Sequence, residues 1–302
     1  LTTILASAKP LSEQSAEETM EGLPIWLLAV IAQPKPIEVL VDGEKADVTP
    51  MFALSEAIEY VNEIHSMGVN YVIRLSASTY RETKPAVVPT NTTIKGKGRG
   101  RTILSFECDC AVAMTISSEG NVRVEDLTLK SLTSTSRNGG LRAMNAGADV
   151  FLSNLRVETS ATDITSALVV GSGNAEATVY VSNSVVRATA GQHAVAISSF
   201  GGVKVSDSVA DSFDISGSFN PLSDLNALAS WPDDPARVTL VTGSKLGLSG
   251  QCYGRTVYGV FTSIDVIQTD ICGAIEFEGS RANLDEVTHI SNDTFQDRIA
   301  II

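Results

Sequence analysis

The chain has 302 residues, a net charge of −13 and four cysteines; 43% of its residues are hydrophobic and 6% are aromatic. This composition supplies a large and mainly aliphatic core. The negative charge argues against nucleic-acid backbones and anionic membranes as partners, because like charges repel. The strongest apolar run, residues 25–32, has eight residues, far fewer than the roughly 20 that cross a bilayer, so we expect no membrane insertion.

The first 36 residues precede the strand-like patterns of the chain. We interpret residues 1–36 as an N-terminal attachment or capping segment. A helix is then predicted over residues 50–67, because Thr49 and Pro50 suit its N-cap and first position and Gly68 suits its end. Its apolar residues share one helical face: Leu54, Ala57, Ile58, Val61 and Ile64.

A short alternating run returns four times along the middle of the chain. The runs begin at Val122, Val150, Val179 and Val203, spaced 28, 29 and 24 residues apart. Each alternates apolar with polar residues, which is typical of strands with one buried face. Units stacked at roughly 4.8 Å bury what a single unit cannot. The sequence therefore predicts an all-β, right-handed parallel β-helix (a solenoid) with an N-terminal capping α-helix over its open end.

Weaker alternation continues to the end of the chain, so we assign residues 37–302 to one β-helix domain. Residues 216–235 interrupt this pattern with three prolines, Pro221, Pro232 and Pro235. Proline cannot donate to a strand ladder. We therefore predict that residues 216–235 form a lateral loop insertion.

The cysteines are interpreted mainly as reduced thiols in the core. Cys108 and Cys110 lie two apart on a predicted strand, so their side chains point to the same side. Cys252 and Cys272 are 20 residues apart, about one coil, and a disulfide between them is the alternative. A four-cysteine zinc site would have to join pairs on the order of 20 Å apart, whereas zinc binds sulfur at about 2.3 Å. No metal is expected.

Asp126, Asn154, Asn183 and Asp207 each occupy the fifth position of one run. Asn and Asp tolerate the left-handed backbone conformation and bond to their own turn. We interpret the four residues as coil corners. The alternative is a ladder that binds metal or sugar.

The N-terminal part places a strand, a helix, a second strand, a turn and a glycine-rich strand in succession. The segments are residues 38–43 (EVLVDG), 56–58 (EAI), 71–75 (YVIRL), 79–82 (TYRE), 93–98 (TIKGKG) and 101–103 (RTI). With them, residues 37–210 resemble the opening of pectin methylesterases and of the wider pectin-lyase-like superfamily, although Ser78 stands where the family has glycine. The resemblance implies a right-handed parallel β-helix.

The family's catalytic motifs do not accompany this resemblance. Its Q-D-T and D-F-x-F-G motifs are missing, and Asp163, the nearest candidate, follows Thr162 rather than Gln. His193 lies in a segment that faintly resembles the G-H-G segment of polygalacturonases, but the paired carboxylates of such hydrolases have no matching motifs. We expect no catalytic residue and no cofactor.

Aromatic and hydrogen-bonding side chains cluster in and after the predicted loop. Mixtures of this kind form sugar sites. The alternative is that Trp231 only pins the loop to the coil. The predicted carbohydrate-binding residues are Trp231, Asp233, Tyr253, Arg255 and Tyr258.

These observations favour a non-enzymatic virion protein, such as a phage tail fibre, tailspike or surface-decoration protein, that has a structural or host-attachment role. The expected location is the virion, and the expected partners are other virion proteins and host surface polysaccharide. A homotrimer is expected by analogy with such proteins. Two alternatives remain open: a polysaccharide lyase or glycoside hydrolase with its site between subunits, and a bacterial adhesin that is extracellular or on the cell surface.

Overall fold

A computed structural model describes residues 35–116, 121–132, 136–172, 176–214, 224–230, 237–247, 255–260, 263–290 and 299–301. Nearly all of the regular structure in these ranges is strand, and one helix, α1 (Leu54–Ile64), lies near the N-terminus. The described strands, in chain order, are β1 (Glu38–Val41), β2 (Glu44–Lys45), β3 (Tyr71–Arg74), β4 (Thr79–Glu82), β5 (Ala86–Val88), β6 (Thr92–Lys95), β7 (Ile103–Phe106), β8 (Met114–Ile116), β9 (Val122–Glu125), β10 (Thr128–Leu132), β11 (Arg137–Ala146), β12 (Val150–Ser153), β13 (Arg156–Ser160), β14 (Ile164–Ser172), β15 (Val179–Ser182), β16 (Val185–Ala190), β17 (His193–Ser199), β18 (Val203–Ser206), β19 (Val209–Asp214), β20 (Asp224–Ser230), β21 (Val238–Thr242), β22 (Lys245–Leu246), β23 (Arg255–Val260), β24 (Ser263–Ile267), β25 (Asp270–Cys272), β26 (Ala274–Glu278), β27 (Arg281–Asp285), β28 (Thr288–Ile290) and β29 (Ile299–Ile301).

The strands form three long sheets, and each coil of the chain gives one strand to each sheet. The first sheet runs from β3 through β6 and β9 to β27 and is extended at its N-terminal edge by β1 and β2, which pair antiparallel. The second sheet runs from β4 to β28 and the third from β5 to β29. All pairs beyond β1 and β2 are parallel between successive coils. The chain is therefore a right-handed parallel β-helix, which confirms the predicted fold class.

The core consists of side chains stacked in register from coil to coil. Val122, Val150, Val179 and the next equivalent valine, Val203, pair with one another in the first sheet, and all four are fully buried. Their superposition confirms the alignment predicted from the repeat spacing. Outward-pointing residues alternate with these buried ones, so the side chains on the exterior of the first sheet take no part in the core.

The predicted corner residues do turn the chain between the first and second sheets. Asp126, Asn154, Asn183 and Asp207 have φ values of 60°, 51°, 45° and 49°, in the left-handed region. Gly243 occupies the same corner in the next coil, with a φ of 55°. The corner interpretation is confirmed, because these positions need the conformation that Asn, Asp and Gly adopt at the lowest cost.

Buried serines follow three of these corners. The hydroxyl groups of Ser184, Ser208 and Ser244 each donate to the carbonyl oxygen two residues earlier, at 2.7–2.8 Å. Each also accepts the backbone N–H of the equivalent residue in the preceding coil, at 3.1–3.2 Å. These three serines, which we call the serine column, satisfy backbone groups that water cannot reach.

The corner geometry predicts an asymmetric response to substitution at Asn154. Asn154→Gly keeps the left-handed backbone accessible, whereas Asn154→Val places a β-branched residue there. We expect Asn154→Val to be less stable than Asn154→Gly by about 1–2 kcal/mol. Chemical unfolding of both variants measures the difference, and equal stability of the two would contradict the corner assignment.

Helix α1 covers the N-terminal end of the coil, as predicted, but it is shorter than residues 50–67. It buries Leu54, Ala57, Ile58 and Val61 and contacts β4 and β5, the first strands of the second and third sheets. The predicted N-cap at Thr49 is wrong, because Ala53 occupies that position with a φ of −122°. Within the described residues, no helix is long and apolar enough to span a membrane.

The predicted lateral loop is wrong in its central part. Asp224–Ser230 is strand β20, which pairs with β17 and β23 in the third sheet, so the coil continues through this segment. The flanking residues of the predicted loop lie outside the described ranges. So do residues 1–34, and the assignment of residues 1–36 to attachment or capping stays a prediction.

The interpretation as reduced core thiols is also wrong for Cys108, Cys110 and Cys272. Cys108 and Cys110 form a disulfide, are only half-buried and follow strand β7 instead of lying on it. Cys272 is disulfide-bonded as well, and Cys252 lies outside the described residues. A two-residue spacing beyond the strand end brings the Cα atoms of Cys108 and Cys110 to 5.2 Å, within disulfide range.

Candidate functional site

A stack of aromatic and cationic side chains lies on the outward face of the first sheet. Arg123, Phe151, Tyr180 and Lys204 occupy equivalent outward positions on four successive strands. The Phe151 and Tyr180 rings are 4.9 Å apart between centroids and inclined by 4°. Arg123 Cζ lies 4.1 Å from the Phe151 centroid, and Lys204 Nζ lies 5.6 Å from the Tyr180 centroid. We call these four residues the cation–aromatic stack.

The geometry of the stack fixes what it presents to solvent. Phe151 and Tyr180 each cover one face of the other's ring. Arg123 covers the remaining face of Phe151 and Lys204 that of Tyr180, and both cations lie within the distance over which a ring attracts a cation. The ring edges therefore point outward. Because an aromatic edge carries the positive end of the ring quadrupole, edges and cations together form a surface that is electropositive along the rod.

A groove continues this surface toward the N-terminal end of the first sheet. It has a volume of about 570 Å³, which lies within the range of small-molecule sites. Four of its lining residues are cationic and one is acidic. We call it the basic groove, and its lining is Val72, Arg74, Thr93, Lys95, Gly96, Lys97, Arg123 and Glu125.

Lys95 is the cation of the groove with the clearest electrostatic partner. Its Nζ lies 2.7 Å from Glu125 Oε1 and 3.8 Å from Asp126 Oδ2. The hydrogen bond to Glu125 and the charge of that carboxylate raise the pKa of Lys95, so its charge is held well above neutral pH. The Lys95 side chain is 48% exposed, and a pair this open to water is worth little in stability. Its ammonium group therefore remains accessible to an anion.

Lys97 lines the groove because backbone hydrogen bonds hold the segment around it at the corner between the first and second sheets. We call residues 96–102 the corner loop. The N–H of Gly96 donates to Glu125 O at 2.9 Å and that of Gly98 to Asp126 O at 2.8 Å. Gly98 has a φ of +115°, which few side chains tolerate. In the described part of the chain, Lys97 forms no ion pair with a carboxylate.

The predicted carbohydrate-binding residues are not part of the stack or the groove. Trp231, Asp233 and Tyr253 lie outside the described residues. Arg255 and Tyr258 belong to β23 in the third sheet, on a different side of the rod. Tyr258 is half-buried, with Ala229 and Glu276 as its register neighbours. The site predicted around Trp231 therefore stays a prediction.

The two faint catalytic candidates lie on neighbouring coils. The backbone N–H of His193 donates to the carbonyl oxygen of Asp163 at 3.0 Å, so β14 and β17 bring these positions together. Asp163 Oδ1 is buried and makes no hydrogen bond. Groups of three or more His, Cys, Asp or Glu residues able to hold a metal do not occur among the described residues.

Sequence reasoning missed the cation–aromatic stack although the repeats contained the signal. Its four members are the second residues of the four aligned runs, VRVED, VFLSN, VYVSN and VKVSD. Aligning the runs by their fifth residue, the corner, places these second residues in one outward column. Reading the column instead of each run would have shown two aromatic residues flanked by two cations.

Comparisons with known proteins bear on the fold. No family model matches the chain, and no curated protein shows significant sequence similarity to it. Pectin methylesterase PemA from Erwinia chrysanthemi has a similar structure, with a TM-score of 0.59 and 12% identity over 84% of this chain and 89% of that chain. For a pectin methylesterase in complex with a hexasaccharide, the TM-score is 0.44 and the identity 11%, over 78% of this chain and 90% of that chain. For the N-terminal fragment of bacteriophage Phi29 gene product 12, the TM-score is 0.27 and the identity 11%, over 79% of this chain and 64% of that chain.

At 12% identity, the likeness to PemA concerns the fold and not the activity. It covers most of both chains, and the three parallel sheets described above form the β-helix that this likeness concerns. The chain therefore adopts the pectin-lyase-like right-handed parallel β-helix fold.

Proposed function

We propose that this chain is a non-enzymatic attachment protein that binds an acidic polysaccharide along the first sheet. The observation that carries the proposal is the cation–aromatic stack beside the basic groove. The two features share Arg123, so they form one continuous surface. We call this combined surface the binding strip.

The charge distribution favours an anionic ligand. The chain carries 35 acidic and 22 basic residues, yet the binding strip concentrates Arg74, Lys95, Lys97, Arg123 and Lys204 on one face. A local positive surface on an otherwise acidic protein attracts anionic ligands to that face. Carboxylates of an acidic polysaccharide meet that requirement.

The aromatic residues favour a sugar over a simple anion. The outward edges of Phe151 and Tyr180 give apolar contact area between the cations, and the Tyr180 hydroxyl can donate or accept a hydrogen bond. Successive strands repeat at roughly 4.8 Å, so the strip offers regularly spaced contacts along the rod. An extended chain with repeating charged and apolar parts matches this pattern.

The proposal is tested by isothermal titration with an acidic polysaccharide and with a neutral one of similar length. We expect saturable binding of the acidic polymer only. Tyr180→Ala removes one ring and uncovers the other, and should weaken binding about tenfold. Arg281→Gln removes a cation from the far end of the same sheet and serves as the charge-matched control for Lys204→Gln.

Three results would contradict the proposal. One is binding that Tyr180→Ala and Lys204→Gln leave unchanged. Another is loss of binding in Tyr258→Ala alone, which would move the site to the third sheet and support the residues predicted around Trp231. The third is release of reducing or unsaturated ends from the polymer, which would make the chain an enzyme.

The proposed setting is a virion, where a stiff rod with an exterior binding surface serves host attachment. We propose a homotrimer and contacts with other virion proteins for the same setting, by analogy. Mass spectrometry of purified particles tests the location, and the mass of the isolated protein in solution tests the trimer. Recovery of the chain only from secreted or cell-surface fractions of a bacterium would favour an adhesin instead.

A further inference from the structure

A second cationic pocket lies around the corner from the basic groove, on the outward face of the second sheet. It has a volume of about 290 Å³ and is lined by Arg99, Gly100, Arg156, Val185 and Arg187. Three of these five residues carry a guanidinium group. We call this site the arginine pocket.

Strand register and the corner loop bring the three arginines together. Arg156 and Val185 are paired on neighbouring strands of the second sheet, and Arg187 lies two residues beyond Val185 on the same side. The N–H of Gly100 donates to Thr128 Oγ1 at 3.3 Å, one coil from Arg156. This bond holds the corner loop over the sheet, so that Arg99 lines the pocket from above.

The local carboxylates do not use up the donor capacity of these arginines. Glu158 Oε1 lies 2.5 Å from Nε and Nη2 of Arg156. The Nη1 amino group of Arg156 takes no part in these contacts. Arg187 Nε lies 3.9 Å from Asp211 Oδ2, beyond hydrogen-bond length, and this buried Nε makes no hydrogen bond in the described structure. The side chains of Arg156 and Arg187 are each 43% exposed, so their outer N–H groups are open to an oxyanion acceptor.

We infer that the arginine pocket is an anion-binding site, and that its ligand is an oxyanion group: a carboxylate, sulfate or phosphate, free or attached to a sugar-sized molecule. Planar guanidinium groups bind such oxygens in pairs. Val185 supplies an apolar floor for the carbon skeleton of an attached ligand. Lys97 and Arg99 of one corner loop thus serve two sites, one on each side of the corner.

The arginine pocket lies on a different sheet from the binding strip, so substitutions of its own lining residues test it separately from the proposed polysaccharide binding. The experiment uses the full chain and records the arginine Nε–Hε NMR signals during titration with inorganic phosphate, sulfate, glucuronate and glucose. We expect the Arg187 signal to shift saturably with at least one of the anions, with a dissociation constant of about 1 mM or below. Glucose, which lacks the charge, should leave it unmoved. Phosphate or sulfate acting alone identifies a free anion, and tighter binding of glucuronate identifies a charged sugar.

Variants separate a built pocket from a diffuse positive field. Arg99→Gln should weaken binding about tenfold, on the order of one charge-assisted hydrogen bond at an open site. Arg101→Gln removes the same charge from the same loop at an exposed residue that does not line the pocket, and should have little effect. Glu158→Gln should tighten binding, because it releases the donors of Arg156.

Arg187→Lys keeps the charge beside Asp211 but loses the planar fork, so it should bind anions more weakly while melting at the same temperature as the natural chain. The inference is overturned if no anion gives a saturable shift of the Arg187 signal. Equal losses in Arg99→Gln and Arg101→Gln would overturn it too, since a general field would then explain the binding.

Discussion

Replacing Glu82 with Ala is expected to lower the free energy of unfolding by about 3 kcal/mol, as the loss of charge-assisted hydrogen bonds at a buried site predicts. Glu82 is fully buried in β4. Its two carboxylate oxygens accept the N–H groups of Leu54, at 2.5 Å, and Ser55, at 3.1 Å, in the first turn of α1. Ala53, at the N-cap, has no side chain that can accept a hydrogen bond, so Glu82 caps the helix from another strand.

The same carboxylate gives a signed pH dependence. Burial raises the pKa of Glu82 above its ordinary value of 4.5, with the charge of Glu56 acting in the same direction and the hydrogen bonds from Leu54 and Ser55 opposing it. An acid with a raised folded-state pKa contributes stability that is fully present below the unfolded pKa and lost as pH rises through the folded pKa. We expect the stability of the natural chain relative to Glu82→Gln to fall as pH rises above about 4.5.

Urea unfolding of the natural chain, Glu82→Ala and Glu82→Gln across this pH range measures both effects. Glu82→Gln keeps one oxygen acceptor and most of the volume, so it should cost less than Glu82→Ala. Glu59→Gln, on the exposed face of the same helix, is the matched control for loss of a carboxylate. A pH-independent difference between the natural chain and Glu82→Gln, or a Glu82→Ala cost no larger than that of Glu59→Gln, would contradict the capping role.

Gly96→Ala is expected to destabilise the chain by about 3 kcal/mol, the upper part of the range for overpacking. A Cβ added at Gly96 would overlap the carbonyl oxygen of Asp126 and lie 3.0 Å from Leu127 Cβ. Backbone cannot move aside as a flexible side chain does. The corner loop must therefore shift, and Lys97 and Arg99 shift with it.

This displacement links stability to binding at both sites. Gly96→Ala should weaken polysaccharide binding at the basic groove and phosphate binding at the arginine pocket together, measured by the titrations described above. Gly98→Ala is the comparison: open space surrounds the added Cβ, and only its φ of +115° is unfavourable, so its cost should be nearer 1 kcal/mol. Unchanged unfolding and unchanged binding in Gly96→Ala would show that the loop tolerates the extra methyl group.

The parts of the fold that were predicted correctly rest on local, repeated signals. The alternation of apolar and polar residues and the spacing of Val122, Val150 and Val179 are visible within short segments. Each repeat shows the same pattern, so the repeats support one another. The corner residues were found for the same reason, since the left-handed conformation selects Asn, Asp and Gly at one position in every coil.

The errors arose where distant residues decide the outcome. Thr49 and Pro50 looked like a helix start, but the helix begins where Glu82, 28 residues beyond Leu54, supplies acceptors. Pro221 suggested a loop, yet the strand at Asp224–Ser230 is set by pairing with β17 and β23. The arginine pocket needs a loop residue, Arg99, and strand residues from other coils. Only the folded register brings such groups together.

The serine column has a consequence for how this rod grows over evolutionary time. The hydroxyl group of every member bonds only to its own coil and to the coil before it, so the same pair of hydrogen bonds recurs at each of these corners. A whole coil can then be duplicated or deleted between two such corners without leaving a polar group stranded. Selection can therefore change the length of the β-helix one coil at a time, while the residues at its ends and on its exterior stay unchanged.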